Sequence, residues 1–198
     1  KPLHRSSGDK RRFNCLKMWR SDDKRRYFCP LFNRRLKGEE TMGLTITSID
    51  HSFAGRVDGV DLSRPVDDDV FARIRDAFHR HAVLVITGQD ALEDAAQVAF
   101  SQRFGPLERS IRFDKSGGGQ LPEISNLTNV DEDGSLYPLD DSRARYHAGN
   151  EMWHTDSSFK PVPANASLLS GRVVPPEGGD TEFADARAAY DALSAARK

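Results

Sequence analysis

The chain has 198 residues, 29 Lys and Arg balanced against 30 Asp and Glu, and 37% hydrophobic residues. This length suits one globular domain with a sizeable core, and no apolar run approaches the roughly 20 residues that a membrane span requires. Its two cysteines, Cys15 and Cys29, are too few and too far apart for a disulfide scaffold or a zinc knuckle. Together with the lack of a secretory pattern, these features predict a cytoplasmic protein.

The near-neutral total charge hides two unlike parts of the chain. Residues 1–41 carry 13 of the 29 basic residues but only 5 of the 30 acidic ones, without a sustained strand or helix period. This segment is predicted to be a disordered or non-native leader, and residues 42–198 to be the folded part. Its basic clusters alternate with aromatic residues, which also suits a nucleic-acid-binding arm. Because this segment contains no recognised nucleic-acid-binding motif, nucleic acid is not the expected partner.

The first half of the folded part alternates strands and helices. The alternation of Leu44–Ile49 predicts a half-buried strand. Three aspartates, 67–69, predict the capped N-terminus of a helix, and residues 83–86 predict a short buried strand. A second helix is predicted to end at Gly105-Pro106. The predicted buried faces of the two helices are Val70, Ile74, Ala77, Phe78 and His81, and Leu92, Ala96, Phe100 and Phe104.

Strands dominate the second half of the sequence. They are predicted at residues 124–130, 151–159, 166–174 and 181–184, and Asp185 is predicted to cap a last helix. Residues 131–149 are polar and irregular, and long enough for an active-site lid. This order of elements predicts an α+β fold with a β-sandwich or barrel core.

His154 and Asp156 are the first candidate site residues. On a strand, residues i and i+2 point to the same face, so the two side chains could offer an imidazole nitrogen and a carboxylate oxygen to one metal ion. Such a pair with a distant His forms the 2-His-1-carboxylate triad of non-haem Fe(II) oxygenases. The spacing alone occurs often by chance, and a surface His and Asp that share a hydrogen bond remain an alternative.

The sequence around this pair resembles the taurine and 2,4-dichlorophenoxyacetate (TauD/TfdA) dioxygenase family. The similarity rests on the blocks WHTDSSF, VVPPEGGDTEF and DARAAYDAL, and on VLVITGQ and FGPLE earlier in the chain. It covers residues 44–193 and is closer to the 2,4-dichlorophenoxyacetate branch. The resemblance implies a double-stranded β-helix (jelly-roll) core with flanking helices. It also implies Fe(II) as cofactor and 2-oxoglutarate as cosubstrate.

The family pattern assigns roles to individual residues. His154 and Asp156 match the first two iron ligands, and Thr181 matches the donor to a 2-oxoglutarate carboxylate, although a strand-starting threonine is the alternative. Asn150 matches a position that contacts substrate in the taurine branch, with a polar loop residue as the alternative. Arg112 lies in a region that approaches substrate in these enzymes and could pair with an anionic head group, with a solvated arginine as the alternative. Trp153 is expected to pack in the core beside the site.

One departure from the family concerns the end of the sequence. The family's second iron-binding His, and the Arg that binds the distal carboxylate of 2-oxoglutarate, lie well downstream of the Gly-Gly-Asp-Thr turn. They match no residue here, and no His follows His154. The fold is therefore expected to be truncated at its C-terminus, and the chain to be incomplete and inactive alone. The predicted parent activity is oxidative hydroxylation of a small organic acid with O2, giving succinate and CO2. A homo-oligomer is compatible with this prediction, and a membrane partner is not expected. The alternatives are a non-catalytic remnant or a binding module whose basic arm contacts nucleic acid or another acidic partner.

Overall fold

A computed structural model describes most of the chain in two compact units. The described residues are 12–16, 43–49, 53–109, 121–131, 133–138, 140–149, 152–174 and 180–198. The first unit comprises residues 1–19 and 105–179, and the second comprises residues 20–104 and 180–198. None of the helices in these described segments is both long enough and apolar enough to cross a bilayer.

The second unit contains a three-stranded mixed sheet of order β2-β3-β4. The strands are β2 (Thr45–Ser48), β3 (Ala54–Asp58) and β4 (Val83–Ile86). β2 pairs with β3 antiparallel, whereas β3 pairs with β4 parallel. A parallel pair needs a crossover connection, and helix α1 (Asp68–His81) provides it. The predictions of β2, α1 and β4 are confirmed, whereas the sequence analysis did not identify β3.

Helix α1 covers this sheet with a face that matches the predicted one in part. Ile74, Ala77 and His81 are buried as predicted, Phe71 is buried as well, and Val70 and Phe78 are only half-buried. The predicted N-cap is also wrong in one respect, because Asp67 occupies the cap position without a side-chain hydrogen bond. The acidic side chains of Asp68 and Asp69 still lie in the first turn, where their negative charge interacts favourably with the positive end of the helix dipole.

Four phenylalanines join α1 to helix α2 (Asp94–Gln102). Phe71 contacts both Phe100 and Phe104 edge-on, with ring centroids 5.9 and 4.8 Å apart, and Phe78 contacts Phe104 at 6.1 Å. The guanidinium of Arg103 lies 4.2 Å from the centroid of the Phe71 ring and forms an ion pair with Asp68. Phe100 is buried as predicted, whereas Ala96 and Phe104 are half-buried, and Gln97 and Ser101 complete the buried face of α2.

The first unit contains an antiparallel sheet of order β5-β1-β6. The central strand is β1 (Arg12–Leu16), flanked by β5 (Ser125–Thr128) and β6 (Leu168–Val173). The predictions of β5 and β6 are confirmed to within two residues at each end, but no period in the sequence indicated β1. Most of residues 1–41 lies outside the described residues, so the leader interpretation stays a prediction.

The segment predicted to be an irregular lid contains a helix. Helix α3 (Ser142–Gly149) is preceded by Asp141, whose Oδ1 accepts a hydrogen bond of 2.7 Å from the amide of Arg143. This is the usual N-cap arrangement, and it ends the irregular stretch eight residues early. The Arg143 guanidinium also binds the Asp141 carboxylate and, with that amide, lowers the Asp141 pKa to about 2.

Two predicted strands are wrong. Residues 152–159, predicted as part of a strand, form irregular backbone followed by a turn, because Ser157 adopts a φ of +53° that a strand does not contain. Residues 181–184 contain only a single bridge position, Phe183. The predicted last helix is confirmed as α4 (Ala186–Asp191), and the Asp185 side chain accepts from the amide of Ala188 as expected. A 3-10 turn, Ala195–Arg197, follows it.

Candidate metal site

The structure brings His154 and Asp156 together in the first unit. His154 Nε2 lies 3.4 Å from Asp156 Oδ1, and the two side chains are 48% and 23% exposed. The prediction that they share a site is thus supported, but its geometric reason is wrong, because residues 153–155 are not a strand. The two side chains converge instead through an irregular segment that enters the turn at residues 156–159.

A backbone contact orients the imidazole of His154. Its Nδ1 lies 2.7 Å from the carbonyl oxygen of Met152. A carbonyl can only accept, so Nδ1 carries the proton and donates, which leaves the Nε2 lone pair on the side of Asp156. Metal-binding histidines are commonly fixed in this way, with one ring nitrogen bonded to a carbonyl and the other available to the metal.

The carboxylate of Asp156 is held at its other oxygen. The Ser167 hydroxyl donates to Oδ2 over 3.0 Å, while Oδ1 is the oxygen near His154. Ser167 directly precedes β6, so this contact ties the turn to the antiparallel sheet. The sequence did not indicate a role for Ser167, because only the fold shows which residue a serine beside a strand contacts.

A second carboxylate supports the same turn from a distant part of the chain. Glu108 Oε2 accepts a hydrogen bond of 3.0 Å from the Ser157 hydroxyl and one of 2.7 Å from the Lys160 ammonium. Ser157 is almost completely buried, at 2% exposure, whereas the Glu108 and Lys160 side chains are about a quarter exposed. The sequence block FGPLE contains Glu108, but its sequence alone gave no reason to connect it with Ser157.

The donor set formed by His154 and Asp156 fits a divalent first-row metal in part. An imidazole nitrogen and a carboxylate oxygen are the ligand types of non-haem iron sites, which need one further protein ligand. Among the residues that the structure describes, no cluster of three or more His, Cys, Asp or Glu side chains could hold a metal ion. This agrees with the observation that no His follows His154.

Of the other candidate residues, Thr181 and Trp153 belong to the described part of the chain. Thr181 belongs to the second unit, where its side chain is exposed and precedes the Phe183 bridge position. Asn150 and Arg112 lie outside the described residues. Trp153 is 52% exposed, so its predicted core position is wrong for this structure.

Comparison with known sequences gives one family. The sequence profile described as "Taurine catabolism dioxygenase TauD, TfdA family" matches residues 45–198. The chain is 39% identical over 149 residues to an alpha-ketoglutarate-dependent 2,4-dichlorophenoxyacetate dioxygenase of Cupriavidus pinatubonensis, covering 71% of this chain and 50% of that protein. It is 40% identical over 159 residues to the (S)-phenoxypropionate/alpha-ketoglutarate-dioxygenase of Delftia acidovorans, covering 78% of this chain and 51% of that protein. A more distant relative, at 32% identity over 147 residues, is an alpha-ketoglutarate-dependent sulfate ester dioxygenase of Pseudomonas putida, covering 72% and 43% of the two proteins.

Comparison with solved structures gives the same result. A crystal structure of AAD-2 in complex with Mn(II) and N-oxalylglycine matches with a TM-score of 0.65 and 39% identity. The match covers 79% of this chain and 52% of that one. The chain therefore spans about half the length of the curated relatives and of the solved structure that it matches.

Proposed function

Because the chain belongs to the taurine catabolism dioxygenase TauD, TfdA family, we propose that it supplies two iron ligands of an Fe(II)- and 2-oxoglutarate-dependent dioxygenase. The relatives support the predicted dioxygenase class and cosubstrate, since the names of two of them specify dependence on alpha-ketoglutarate. The observation that carries the residue assignment is the convergence of His154 Nε2 and Asp156 Oδ1 at 3.4 Å, with Nδ1 bonded to Met152.

The reaction proposed is hydroxylation of a small organic acid. Bound Fe(II) supplies O2 reduction coupled to oxidative decarboxylation of 2-oxoglutarate, so that one oxygen atom enters succinate and the other the substrate, with release of CO2. The protein's own contribution is to orient His154 through the contact of Nδ1 with the carbonyl of Met152, and Asp156 through the hydroxyl of Ser167. Metal affinity is expected to fall in acid, when protons compete for both ligands.

We infer an aryloxyalkanoate as the substrate class. The named substrates of two relatives at about 40% identity are 2,4-dichlorophenoxyacetate and (S)-phenoxypropionate. The relative that acts on sulfate esters is less similar, at 32%. Hydroxylation next to the ether oxygen of an aryloxyacetate gives a hemiacetal, which collapses to a phenol and glyoxylate. Phenol release is therefore the product signal that separates this substrate class from taurine.

The remaining site assignments extend this proposal. The exposed hydroxyl of Thr181 suits hydrogen bonding to a 2-oxoglutarate carboxylate. Asn150 and Arg112 are proposed to contact the substrate, Arg112 through the anionic head group. The antiparallel sheet of the first unit and the match to AAD-2 support a jelly-roll core, truncated relative to those relatives.

Substrate-dependent succinate formation tests the function. The product of the gene's complete reading frame is assayed with Fe(II), 2-oxoglutarate and a panel of 2,4-dichlorophenoxyacetate, phenoxypropionate, an alkyl sulfate and taurine. Turnover with the aryloxy acids is expected, and its loss in His154→Ala and in Asp156→Ala. His79→Ala, which changes an exposed histidine on α1, is the control and keeps wild-type turnover. Wild-type turnover in either ligand variant would contradict the iron assignment.

A further inference from the structure

The turn that carries Asp156 contains a backbone conformation that L residues rarely adopt. Ser157 has a φ of +53°, and in the described part of the chain only Ala82, at the end of α1, is another non-glycine residue with positive φ. Positive φ at a non-glycine residue persists where surrounding contacts impose it, and such positions concentrate at functional sites. Ser157 directly follows the proposed metal ligand Asp156, so the contacts that impose its positive φ also bear on that ligand.

Glu108 provides those contacts. Its Oε2 accepts from the hydroxyl of Ser157 and from the ammonium of Lys160, at 3.0 and 2.7 Å. The amide of Lys160 donates to the carbonyl of Ser157 over 3.0 Å, which closes the turn between them. One carboxylate oxygen therefore binds both ends of the turn from a position 49 residues earlier in the chain. The three side chains are at most about a quarter exposed, so water competes with these bonds less than at a surface ion pair.

The backbone at residues 156 and 157 determines the direction in which the Asp156 side chain leaves the chain. Ser167 then sets the carboxylate itself by donating to Oδ2, and Oδ1 faces His154. The two supports act at different levels, since Glu108 reaches the turn through the side chains of Ser157 and Lys160, whereas Ser167 binds the Asp156 carboxylate directly. Loss of the first should displace Asp156 relative to His154 even when Ser167 is intact.

On this geometry we propose that Glu108 is a positioning residue for the metal ligand Asp156. It acts through Ser157 and Lys160 and does not itself bind the metal. This inference rests on the proposed function, in which Asp156 is a metal ligand. It adds a residue to the site that lies outside the His154-x-Asp156 sequence, in the FGPLE block.

Mn(II) binding to the product of the gene's complete reading frame, followed by electron paramagnetic resonance of the free ion, tests this inference. We expect weaker Mn(II) binding in Glu108→Ala, by about 10- to 100-fold, as is typical when a group that orients a ligand is removed. Glu108→Gln keeps an oxygen that accepts from Ser157 and should restore most of the affinity. The matched control is Glu123→Gln, because the Glu123 side chain is 22% exposed and ion-paired with Arg109 in the same unit. It should bind like wild type.

Hydrogen exchange of the metal-free chain provides a second readout that does not depend on metal binding. In Glu108→Ala the amides of residues 157–160 should exchange at least tenfold faster, while those of β5 and β6 keep their wild-type protection. Faster exchange throughout the unit would indicate a purely structural role and would overturn the inference. So would wild-type Mn(II) affinity in Glu108→Ala.

The ligand variants separate this inference from the proposed function. Mn(II) binding that is lost in His154→Ala but unchanged in Glu108→Ala overturns the role of Glu108 alone. Mn(II) binding that is unchanged in His154→Ala and Asp156→Ala, or not detected in wild type, contradicts the metal assignment and the inference that rests on it. Loss in both ligand variants, with partial loss in Glu108→Ala and recovery in Glu108→Gln, supports both.

Discussion

Replacing Gly55 by alanine tests how closely α1 packs on the sheet of the second unit. Gly55 lies in β3, opposite Leu84 of β4 and beneath the buried His81 of α1. A Cβ atom there would lie 2.9 Å from His81 Cδ2 and 3.0 Å from Leu84 Cδ2, closer than carbon atoms pack. Both neighbours belong to core elements, so neither can withdraw without disturbing the contact between the helix and the sheet.

The expected cost of Gly55→Ala follows from two opposing effects. Overpacking of a core typically costs about 1–3 kcal/mol. The less flexible unfolded chain of an alanine variant offsets about 0.4–1 kcal/mol of that cost. We therefore expect the free energy of unfolding to fall by about 1–2 kcal/mol. Gly43→Ala is the control, because no heavy atom lies within 4 Å of its added Cβ, and it should stay within about 0.5 kcal/mol of wild type.

Urea unfolding of the 198-residue chain, followed by circular dichroism at 222 nm, measures the difference between the two variants. Hydrogen exchange of α1 and β3 assigns the effect to the second unit. If Gly55→Ala unfolds at the same urea concentration as Gly43→Ala, the close approach of His81 to β3 is wrong. If the approach is right, Gly55→Ala should cost much less in a His81→Ala background, because the first of the two clashes is then absent.

Three further predictions concern the same unit. Burial, and to a lesser extent the charge of Arg80, lowers the pKa of His81, so its neutral form is favoured in the folded state. The resulting stability is present above the ordinary pKa of about 6.5 and is lost as the pH falls below it. The melting temperature should thus fall more steeply between pH 7 and pH 5 in wild type than in His81→Gln, and an equal slope in the two proteins would contradict this. The control is His79→Gln, on the exposed side of α1, which should behave as wild type. Ile74→Val removes one methylene from a side chain that is 1% exposed and should cost about 0.5–1.5 kcal/mol in urea unfolding, so an unchanged midpoint would place Ile74 outside the core. Gln89→Ala removes the acceptor of the Leu62 amide and the donor to the carbonyls of Val60 and Thr87, and should cost about 1–3 kcal/mol; a smaller loss would mean that water replaces these bonds.

The candidate site shows where motif reasoning succeeds and where its geometric reason fails. The spacing of His154 and Asp156 correctly predicted that the two side chains meet, but through an assumed strand. The structure reaches the same outcome with an irregular segment and a turn, because Ser157 takes a positive φ. Neither the contact of Glu108 nor that of Ser167 could be predicted, since each joins residues that only the fold brings together.

Local sequence patterns predicted most of the elements that are stabilised by interactions within a few residues of the chain. The periodicity of residues 70–81 and 92–104, the buried run at 83–86 and the cap at Asp185 predicted α1, α2, β4 and α4, because side-chain period and capping act within a few residues. The Asp141 cap of α3 was a signal of the same kind, and it was hidden in a stretch of polar residues.

Tertiary contacts decided what remained. β1 and β3 are sheet strands because neighbouring strands satisfy their backbone groups on both sides, and such pairing leaves little trace in five residues of sequence. The buried face of α1 likewise includes Phe71 because two phenylalanines of the α2 region, Phe100 and Phe104, pack against it. Sequence thus determined the family and the local elements, and it predicted the ligand pair. The fold alone decided which distant groups hold that pair, because hydrogen bonds across about 50 residues depend on tertiary structure.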